Sequence, residues 1–457
     1  MLKSDIIKSL RQVLGNEAVL TEKEELFSYS YDGTDAWSHM PDLVVLPKTT
    51  QQVSEIMKIA SRHSIPVTPR GGGTNLSGGS IPVNGGIVLC TTRMDKILDI
   101  NKYNLTATVQ PGVILQDLNN AIAKDGLFYP PDPQSFLGCT IGGTVAENAG
   151  GPCCLKYGVT KQYVLGLEVV LADGRIMNIG AQTVKNRMGY ELAMLFAGSE
   201  GTLGIITRIT LRLIPRPKAT RTLISVFDDM VAGGQAVSNI LAEGIIPAKI
   251  EIVDNFVIRG IETIAPIGLP LEANAMLMIQ VDGSPEAVEG DSTRVRDCLK
   301  KSGAMFLRIS GDAAEEAAFW KMRSAGAGNF GGKTVVGEDV TVPRDKLPLF
   351  IQKLGEISAE TGFPIPFVGH AGDGNLHPAI AFNMNDEEES ARAHITLEKI
   401  VDAALAAGGV LSGEHGIGLE KRRFFNRAIN PVALEVMKAI KKTLDPGNIL
   451  NPGKIWE

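Results

Sequence analysis

Two patterns of hydrophobic and polar positions divide this chain. Between residues 40 and 215 the apolar runs are short, and Ile209, Leu211 and Leu213 alternate with polar residues as in a half-buried strand. Pro215-Arg216-Pro217 then ends this first region. Other short apolar runs predict strands, and apolar residues three or four positions apart predict helices. The strands are expected at 43–46, 66–68, 87–90, 107–110, 167–171 and 205–213, and the helices at 6–14 and 49–63.

From Leu223 to about Phe382 the pattern changes to longer units in which two strands flank one helix. Strands paired around single helices are typical of an antiparallel sheet covered on one face, as in a ferredoxin-like α+β layer. The strands are expected at 276–281, 305–309, 334–342 and 365–382, and the helices at 285–301 and 344–361. A further helix ending at Gly408-Gly409 and a last helix around 432–442 are expected after this sheet.

Length, charge and cysteine usage narrow the class of protein. A chain of 457 residues exceeds what one core usually supports, so two or three domains are expected. The net charge of −6 argues against a nucleic-acid partner. No run approaches the roughly 18 apolar residues of a membrane span, and the first residues lack the apolar core of a signal peptide. The five cysteines never show C-x-x-C spacing, which argues against iron–sulfur and zinc clusters. We therefore expect a cytoplasmic protein without a membrane span.

A candidate metal site begins at the Asp373-Gly374 dipeptide, which favours a type I′ hairpin turn. In that register His370 lies directly opposite His377, with Cβ atoms about 4.5–5.5 Å apart, close enough to share one metal ion. Glu414 offers a third ligand, and His415 beside it offers a spare imidazole. Two histidines and one carboxylate leave coordination positions open, as in a catalytic site. The alternative is two surface histidines on a hairpin.

Four glycine-rich segments point to a phosphorylated cofactor. The first follows a predicted strand, and its three consecutive glycines let backbone N–H groups approach an anion. It is not the dinucleotide fingerprint, because Leu76 stands where the last glycine belongs. Four such segments within 135 residues indicate that backbone lines a groove for an extended cofactor, with simple tight turns as the alternative. The segments are 70–79, 138–151, 156–158 and 198–204.

One further glycine segment imitates a nucleotide site. Residues 327–334 fit a relaxed Walker-A pattern with Ala327 in place of the first glycine. A working phosphate loop follows a strand and precedes a helix. Here a predicted helix precedes the segment and a predicted strand follows it, so we expect no nucleotide hydrolysis.

At these motifs the chain resembles a known family. Segments 70–79, 140–151 and 198–204 resemble the FAD-binding domain of the vanillyl-alcohol-oxidase/PCMH flavoprotein superfamily. His-Ala-Gly-Asp-Gly-Asn-Leu-His at 370–377 and Gly-Glu-His-Gly-Ile-Gly at 413–418, with the ending at 448–454, narrow the resemblance. They resemble the branch of FAD-linked D-lactate dehydrogenases and glycolate oxidase flavoprotein subunits, which is related to D-2-hydroxyglutarate dehydrogenases.

The resemblance, over about residues 15–457, implies an α+β fold in three parts. Residues 1–217 would form a PCMH-type FAD-binding domain of two α+β subdomains, and 218–405 a cap domain with a ferredoxin-like antiparallel sheet. Residues 406–457 would return to the FAD-binding domain. The FAD would be bound without a covalent link, because Thr74 stands where some superfamily members carry the linking histidine. The implied FAD-binding residues are Arg70, Gly71, Gly72, Gly73, Thr74, Asn75, Ser77, Gly78, Pro131, Asp132, Ser135, Thr140, Gly142, Gly143, Ala146, Asn148, Gly150, Tyr157, Gly158, Glu200, Gly201, Gly204, Ile205 and Asn451.

The resemblance also implies roles around the substrate. His370, His377 and Glu414 would hold a divalent metal, for which this ligand set accepts zinc, iron or manganese. His415 would be the catalytic base, and Arg323 would bind the substrate carboxylate. Ala327 stands where relatives often carry a larger side chain beside the substrate, which leaves the preferred substrate size open.

The expected activity is FAD-dependent, metal-assisted oxidation of a small D-2-hydroxy acid, D-lactate or glycolate, with hydride transfer to flavin N5. Electrons would then pass to an iron–sulfur subunit, an electron-transferring flavoprotein, a cytochrome or a quinone. A D-2-hydroxyglutarate dehydrogenase is the alternative within the family. From other classes, a metal-dependent hydrolase would use the histidines and glutamate alone, and a non-catalytic electron-transfer flavoprotein would use the glycine loops alone.

Overall fold

The structure, a computed structural model, describes residues 3–34, 37–264, 266–325 and 333–456. The chain divides into two compact units, which are described separately. The first contains residues 1–150, 159–216 and 414–457, and the second contains 151–158 and 217–413. The sequence placed the corresponding boundaries at 217/218 and 405/406, and it did not anticipate that 151–158 group with the second unit.

The first unit contains two larger sheets and one strand pair. In the first sheet, Ile87–Cys90 runs parallel to both Leu43–Val45 and Val67–Arg70, and helix Thr50–Arg62 makes the crossover between those two strands. The second sheet is antiparallel throughout. In spatial order the strands are Val19–Leu20, Leu43–Val45, Ile87–Cys90 and Val67–Arg70 in the first sheet, Ile97–Asn101, Thr106–Val109, Ile205–Arg212, Val164–Val170 and Ile176–Gly180 in the second, and the pair Leu127–Phe128 with Ile214–Pro215.

Helices of the first unit begin and end where the sequence supplies local signals. Thr49 precedes Thr50–Arg62, and its hydroxyl accepts a hydrogen bond from Gln52 N at 3.2 Å. The first helix ends before Gly15, which has a φ of 86°. The α-helices are Ser4–Leu14, Lys23–Phe27, Thr50–Arg62, Leu115–Ala123, Ile141–Glu147, Leu192–Phe196, Arg422–Ala428 and Pro431–Leu444, and short 3₁₀ turns lie at Asn16–Ala18, Thr91–Arg93 and Thr160–Tyr163.

The second unit is built on one eight-stranded sheet, which is antiparallel as predicted. The prediction that one face is covered was wrong, because apolar residues point to both faces of the sheet and helices pack on each. Its strands follow the spatial order Phe306–Ile309, Ala219–Phe227, Ala275–Gly283, Lys249–Asp254, Phe367–His370, Asn375–Phe382 and Thr334–Gly337, with Val340–Thr341 also paired to Asn375–Phe382. The predicted strand 334–342 is therefore two short strands, because the backbone leaves the ladder at Glu338 and Asp339.

Helices pack against this sheet, and capping residues in the sequence mark where they begin and end. The Ser284 hydroxyl accepts from Ala287 N, Pro285 occupies the first helical position, and Lys300 and Lys301 lie in the last turn of Pro285–Lys301. The helices of the unit are Cys154–Tyr157, Met230–Ala242, Asn255–Ile264, Pro285–Lys301, Ala313–Ala325, Leu347–Thr361 and Glu387–Ala406, with a 3₁₀ turn at Arg344–Lys346. Ala327 and most of the Walker-like segment lie outside the described residues.

Each unit has its own apolar core. Ile252, Leu277 and Phe350 belong to the main core of the second unit, while Val109 and Ile209 belong to one core of the first. Burial of such side chains, worth about 1.5–3 kcal/mol for each large residue, supports each unit from within. Among the described residues, no helix has the length and apolar character needed to cross a bilayer.

Candidate active site and flavin-binding loops

The histidine hairpin forms, but its register differs from the predicted one. Asn375 pairs with His370, and His377 pairs with Val368, so four residues (371–374) connect the strands instead of two. Gly374 has a φ of 84°, but Asp373 does not adopt the positive φ that a type I′ turn requires. The direct opposition of His370 and His377 was therefore wrong.

Tertiary contacts explain the longer turn. Gly372 donates its N–H to the Ile250 carbonyl, and a side chain on it would approach Leu155 to 2.5 Å. The Asn375 amide donates to Asp339 Oδ1 at 2.7 Å and to the Val340 carbonyl at 3.1 Å. These contacts anchor both ends of the turn, and they outweigh the local preference of the Asp-Gly dipeptide.

The observed register differs from the predicted one by two residues. Because side chains alternate between the two faces with a period of two, both histidines still lie on one face of the sheet. Their imidazole rings lie with centroids 5.3 Å apart and planes at 81°. His370 is buried and His377 is largely buried. The predicted pairing of the two imidazoles is therefore present, although along a diagonal of the ladder rather than across it.

Glu251 is a residue of this site that sequence reasoning missed. It is completely buried and lies directly opposite His370 in the ladder between Lys249–Asp254 and Phe367–His370. Its Oε1 lies 2.5 Å from His370 Nδ1. Burial alone would raise the pKa of Glu251, but His370 and Arg323 outweigh that effect and lower the pKa to about 2. An ionised Glu251 accepts a hydrogen from Nδ1, which leaves Nε2 as the nitrogen of His370 that could bind a metal.

Arg323, the predicted carboxylate-binding residue, contacts the same glutamate. Its Nη2 lies 2.5 Å from Glu251 Oε2, and the arginine side chain is 6% exposed. The structure therefore brings Arg323 and His370 to the two oxygens of one buried carboxylate. A guanidinium has five N–H donors in a fixed fork, so an ion pair on one side still leaves donors for a substrate carboxylate.

His377 has a carboxylate neighbour of its own. Asp339 is fully buried and lies 3.7 Å from His377 Nδ1. It also accepts hydrogen bonds from the Asn375 amide and from Ser412 Oγ, the latter at 2.6 Å. At 3.7 Å its contact with the imidazole is longer than a hydrogen bond, whereas Glu251 lies within hydrogen-bonding distance of His370 Nδ1, an arrangement that fits metal binding through Nε2 of His370.

Glu414 and His415 stand where the chain passes from the second unit to the first. Gly413, the last residue of the second unit, packs against Asn375 and Thr341. Glu414 follows it directly. Within the first unit, the His415 carbonyl lies 3.5 Å from the Asn75 amide nitrogen.

The residues after His415 are fastened to the first unit by Glu200. Its two carboxylate oxygens accept the N–H groups of Ile417 and Gly418, each at 2.8 Å. Gly416 has a φ of 86°, and a side chain there would lie 2.5 Å from Glu147 Oε2. The sequence assigned Glu200 to FAD binding, and the structure shows that its side chain holds this segment.

Three of the four predicted glycine segments converge in the first unit, and the segment 156–158 belongs to the second. A side chain at Gly71 or Gly72 would overlap the segment 138–140, and one at Gly198 would contact Asn148. The Glu200 N–H donates to the Ala146 carbonyl, and the Asn451 amide donates to both Gly79 O and Glu200 O. Three loops and the C-terminal segment therefore meet along their backbones, as a backbone-lined groove requires.

Most of the predicted FAD-binding residues lie in this unit, but two do not. Tyr157 and Gly158 belong to the second unit, where the Tyr157 hydroxyl donates to Asp282 Oδ2 at 2.5 Å. Arg70 donates to the Tyr31 and Ser28 carbonyls, so its guanidinium organises an adjacent loop.

Several buried polar groups surround the junction of the loops. Asp32, Glu147 and Glu200 interact electrostatically with Lys454. Burial raises the pKa of Asp32 to about 6 and lowers that of Lys454 to about 8. Ser80 Oγ and Asn451 Oδ1 are buried without a hydrogen-bond partner among the described residues. Such orphaned polar atoms beside glycine loops fit a site that a polar cofactor completes.

Comparison with known proteins agrees with a cofactor site at these glycine loops. Residues 41–180 match the model of an FAD-binding domain family, and residues 216–455 match that of the C-terminal domain of FAD-linked oxidases. The glycolate oxidase subunit GlcD of Bacillus subtilis is 42% identical over 458 residues, which covers all of this chain and 97% of that protein. The D-lactate dehydrogenase of Anaerostipes hadrus is 36% identical, covering 91% of this chain and 89% of that protein.

Solved structures share the fold at lower identity. p-Cresol methylhydroxylase with substrate bound superimposes with a TM-score of 0.82 at 21% identity, covering 99% of this chain and 96% of that chain. A 4-ethylphenol oxidase from Gulosibacter chungangensis gives a TM-score of 0.78 at 20% identity, covering 99% of this chain and 97% of that chain. These likenesses establish a PCMH-type α+β fold.

Fold and loops together define a flavoprotein oxidoreductase that uses FAD. The chain belongs to the family of FAD-linked oxidases, as the match over residues 216–455 and the full-length similarity to its members show.

Proposed function

We propose that this protein oxidises a small D-2-hydroxy acid, D-lactate or glycolate, to the 2-oxo acid. The observation that carries the proposal is the attachment of Arg323 and His370 to one buried carboxylate, Glu251. This arrangement keeps a carboxylate-binding cation beside the imidazole pair, and a 2-hydroxy acid carries a carboxylate next to its reacting oxygen. The names of the similar proteins, a glycolate oxidase subunit and a D-lactate dehydrogenase, support the same substrate class.

The chain's residues have separate tasks in this proposal. Arg323 binds the substrate carboxylate through its fork of donors, which fixes the orientation of C2. Oxidation at C2 requires the hydroxyl group to lose its proton, and His415 accepts it, because imidazole titrates near neutral pH. FAD, when bound, supplies the hydride acceptor.

A divalent metal held by His370, His377 and Glu414 belongs to the proposal. The contact of Glu251 with His370 Nδ1 favours metal binding through Nε2 of His370, and buried Asp339 lies near Nδ1 of His377. Glu414 is joined by one peptide bond to Gly413, which contacts Asn375 of the hairpin. Such an ion would act as a Lewis acid on a substrate oxygen. Two imidazoles and one carboxylate suit zinc, iron or manganese.

The proposed substrate is small and has one carboxylate. Arg323 supplies one guanidinium for it, whereas D-2-hydroxyglutarate would need a second cation for its second carboxylate. We therefore place D-lactate and glycolate ahead of D-2-hydroxyglutarate. Electrons would leave the reduced flavin for an iron–sulfur subunit, an electron-transferring flavoprotein, a cytochrome or a quinone.

Anaerobic reduction of the purified flavoprotein tests this function. We expect D-lactate or glycolate to bleach the visible flavin absorption, with L-lactate and D-2-hydroxyglutarate slower. The His415→Ala variant should keep its FAD and metal, yet reduce at least about 10²-fold more slowly. Bleaching only by D-2-hydroxyglutarate would replace the proposed substrate, and no bleaching by any 2-hydroxy acid would overturn the proposal.

A further inference from the structure

We infer that Glu251 is a positioning residue that couples metal binding at His370 to substrate binding at Arg323, an inference that rests on the proposed function. The two oxygens of the Glu251 carboxylate contact different residues. Oε1 lies 2.5 Å from His370 Nδ1, and Oε2 lies 2.5 Å from Arg323 Nη2. Neither partner can rotate away without breaking a contact to the same group.

The setting of Glu251 makes this arrangement rigid. The residue lies in the interior of the sheet, on strand Lys249–Asp254 between Ala275–Gly283 and Phe367–His370. Its backbone is held in both ladders, opposite Met278 on one side and His370 on the other. A side chain that is completely buried on a central strand has little freedom to move, so its two oxygens have fixed positions.

The cluster requires a carboxylate at this position. Arg323 is 6% exposed, so its charge needs a buried counter-charge, and removal of one partner of such a pair leaves an uncompensated charge in the interior. His370 needs an acceptor at Nδ1 in order to present Nε2 to a metal, and loss of such an outer-shell partner typically lowers metal affinity by about 10–100-fold. Glu251 meets both needs at once, and no neutral side chain of the same size does.

The Glu251→Gln variant separates these roles with little change in volume. An amide has one oxygen and one NH₂ group, so it accepts from His370 or from Arg323 but not from both. The Glu251→Asp variant keeps the charge but is shorter by one methylene, so it cannot span the two partners. The control is Glu316→Gln, which makes the same change at another buried glutamate of the unit, one that accepts from Gln280.

Three measurements on the full-length holoprotein test the inference. The ring-nitrogen shifts of His370, measured by NMR after chelator treatment, report whether Nδ1 carries the hydrogen. Competition between the protein and a chelator for Co²⁺ gives the metal affinity. Anaerobic stopped-flow reduction with D-lactate or glycolate separates the substrate dissociation constant from the limiting rate.

We expect Nδ1–H in the unaltered protein. Glu251→Asp should weaken both Co²⁺ and substrate binding at least 10-fold, and Glu251→Gln should weaken at least one of them as much. The inference would be overturned if the Glu251 variants bound Co²⁺ and substrate as tightly as Glu316→Gln does. A hydrogen on Nε2 of His370 in the unaltered protein would overturn it as well. Failure of the proposed function looks different, because the unaltered protein would then show no bleaching while the Co²⁺ and NMR results still report on Glu251.

Discussion

Replacement of Glu200 by Gln tests how the segment after His415 is held. The carboxylate accepts two backbone N–H groups at 2.8 Å, from Ile417 and Gly418. The glutamine side chain keeps one acceptor oxygen for one of these N–H groups. Its NH₂ group, which is a donor, then faces the other N–H. A hydrogen bond to a charged group contributes about 1.5–3 kcal/mol, and a neutral one about 0.5–1.5 kcal/mol.

The lower part of that range applies to this site. Burial raises the pKa of Glu200, while the N–H groups of Ile417 and Gly418 oppose the rise, so part of what the two hydrogen bonds contribute offsets the cost of burying the carboxylate. A loss of about 1.4 kcal/mol corresponds to a tenfold larger open population. We therefore expect amide hydrogen exchange in the segment 415–420 to accelerate about 10-fold, and flavin reduction to slow because His415 belongs to this segment.

Hydrogen-exchange mass spectrometry on FAD-loaded protein measures this effect, with FAD content checked in parallel. The matched control is Glu168→Gln, at a carboxylate of the same unit that accepts from Thr50 Oγ1 at 2.6 Å and pairs with Arg208. Exchange in 415–420 that matches the unaltered protein would show that Glu200 contributes nothing to holding the segment.

Three further outcomes are expected. Denaturation should release intact FAD into the supernatant, and flavin retained by the precipitated chain would contradict the non-covalent assignment. His377→Ala should lose divalent metal in elemental analysis while keeping FAD, because hairpin and glycine loops belong to different units; an unchanged metal content would count against that ligand. Asp32→Asn should stabilise the protein more at pH 8 than at pH 5. The folded pKa of Asp32, about 6, exceeds the ordinary 3.8, so the favourable contribution of its protonated carboxyl is fully present below pH 3.8 and is lost as the pH rises through 6. The full loss is about 3 kcal/mol, of which roughly half falls between pH 5 and pH 8. Equal denaturant midpoint shifts at both pH values would contradict it.

Much of the fold could be predicted because periodicity and caps are local. The helix expected at 285–301 forms as Pro285–Lys301, since Ser284, Pro285 and the terminal lysines mark its ends. The strand expected at 205–213 forms as Ile205–Arg212. The hairpin register could not be predicted, because contacts of Gly372 and Asn375 with distant residues decide it.

The candidate site was predictable only in part, for a similar reason. Histidine is rare in this chain, so the pair His370 and His377 within one glycine-rich segment could be recognised from the sequence. Glu251 sits between Ile250 and Ile252, where alternation predicts a solvent-facing carboxylate on a half-buried strand. Its burial follows from the position of its strand inside an eight-stranded sheet, which no local pattern encodes.

Oxidation of a 2-hydroxy acid at C2 is the reaction that we propose for this flavoprotein. The most direct measurement is the limiting rate of anaerobic flavin reduction with D-lactate or glycolate, carrying either hydrogen or deuterium at C2. We expect complete bleaching by at least one of these acids, with a slower limiting rate for its deuterated form. A flavin that stays oxidised with every 2-hydroxy acid, in protein that contains both FAD and metal, would contradict it.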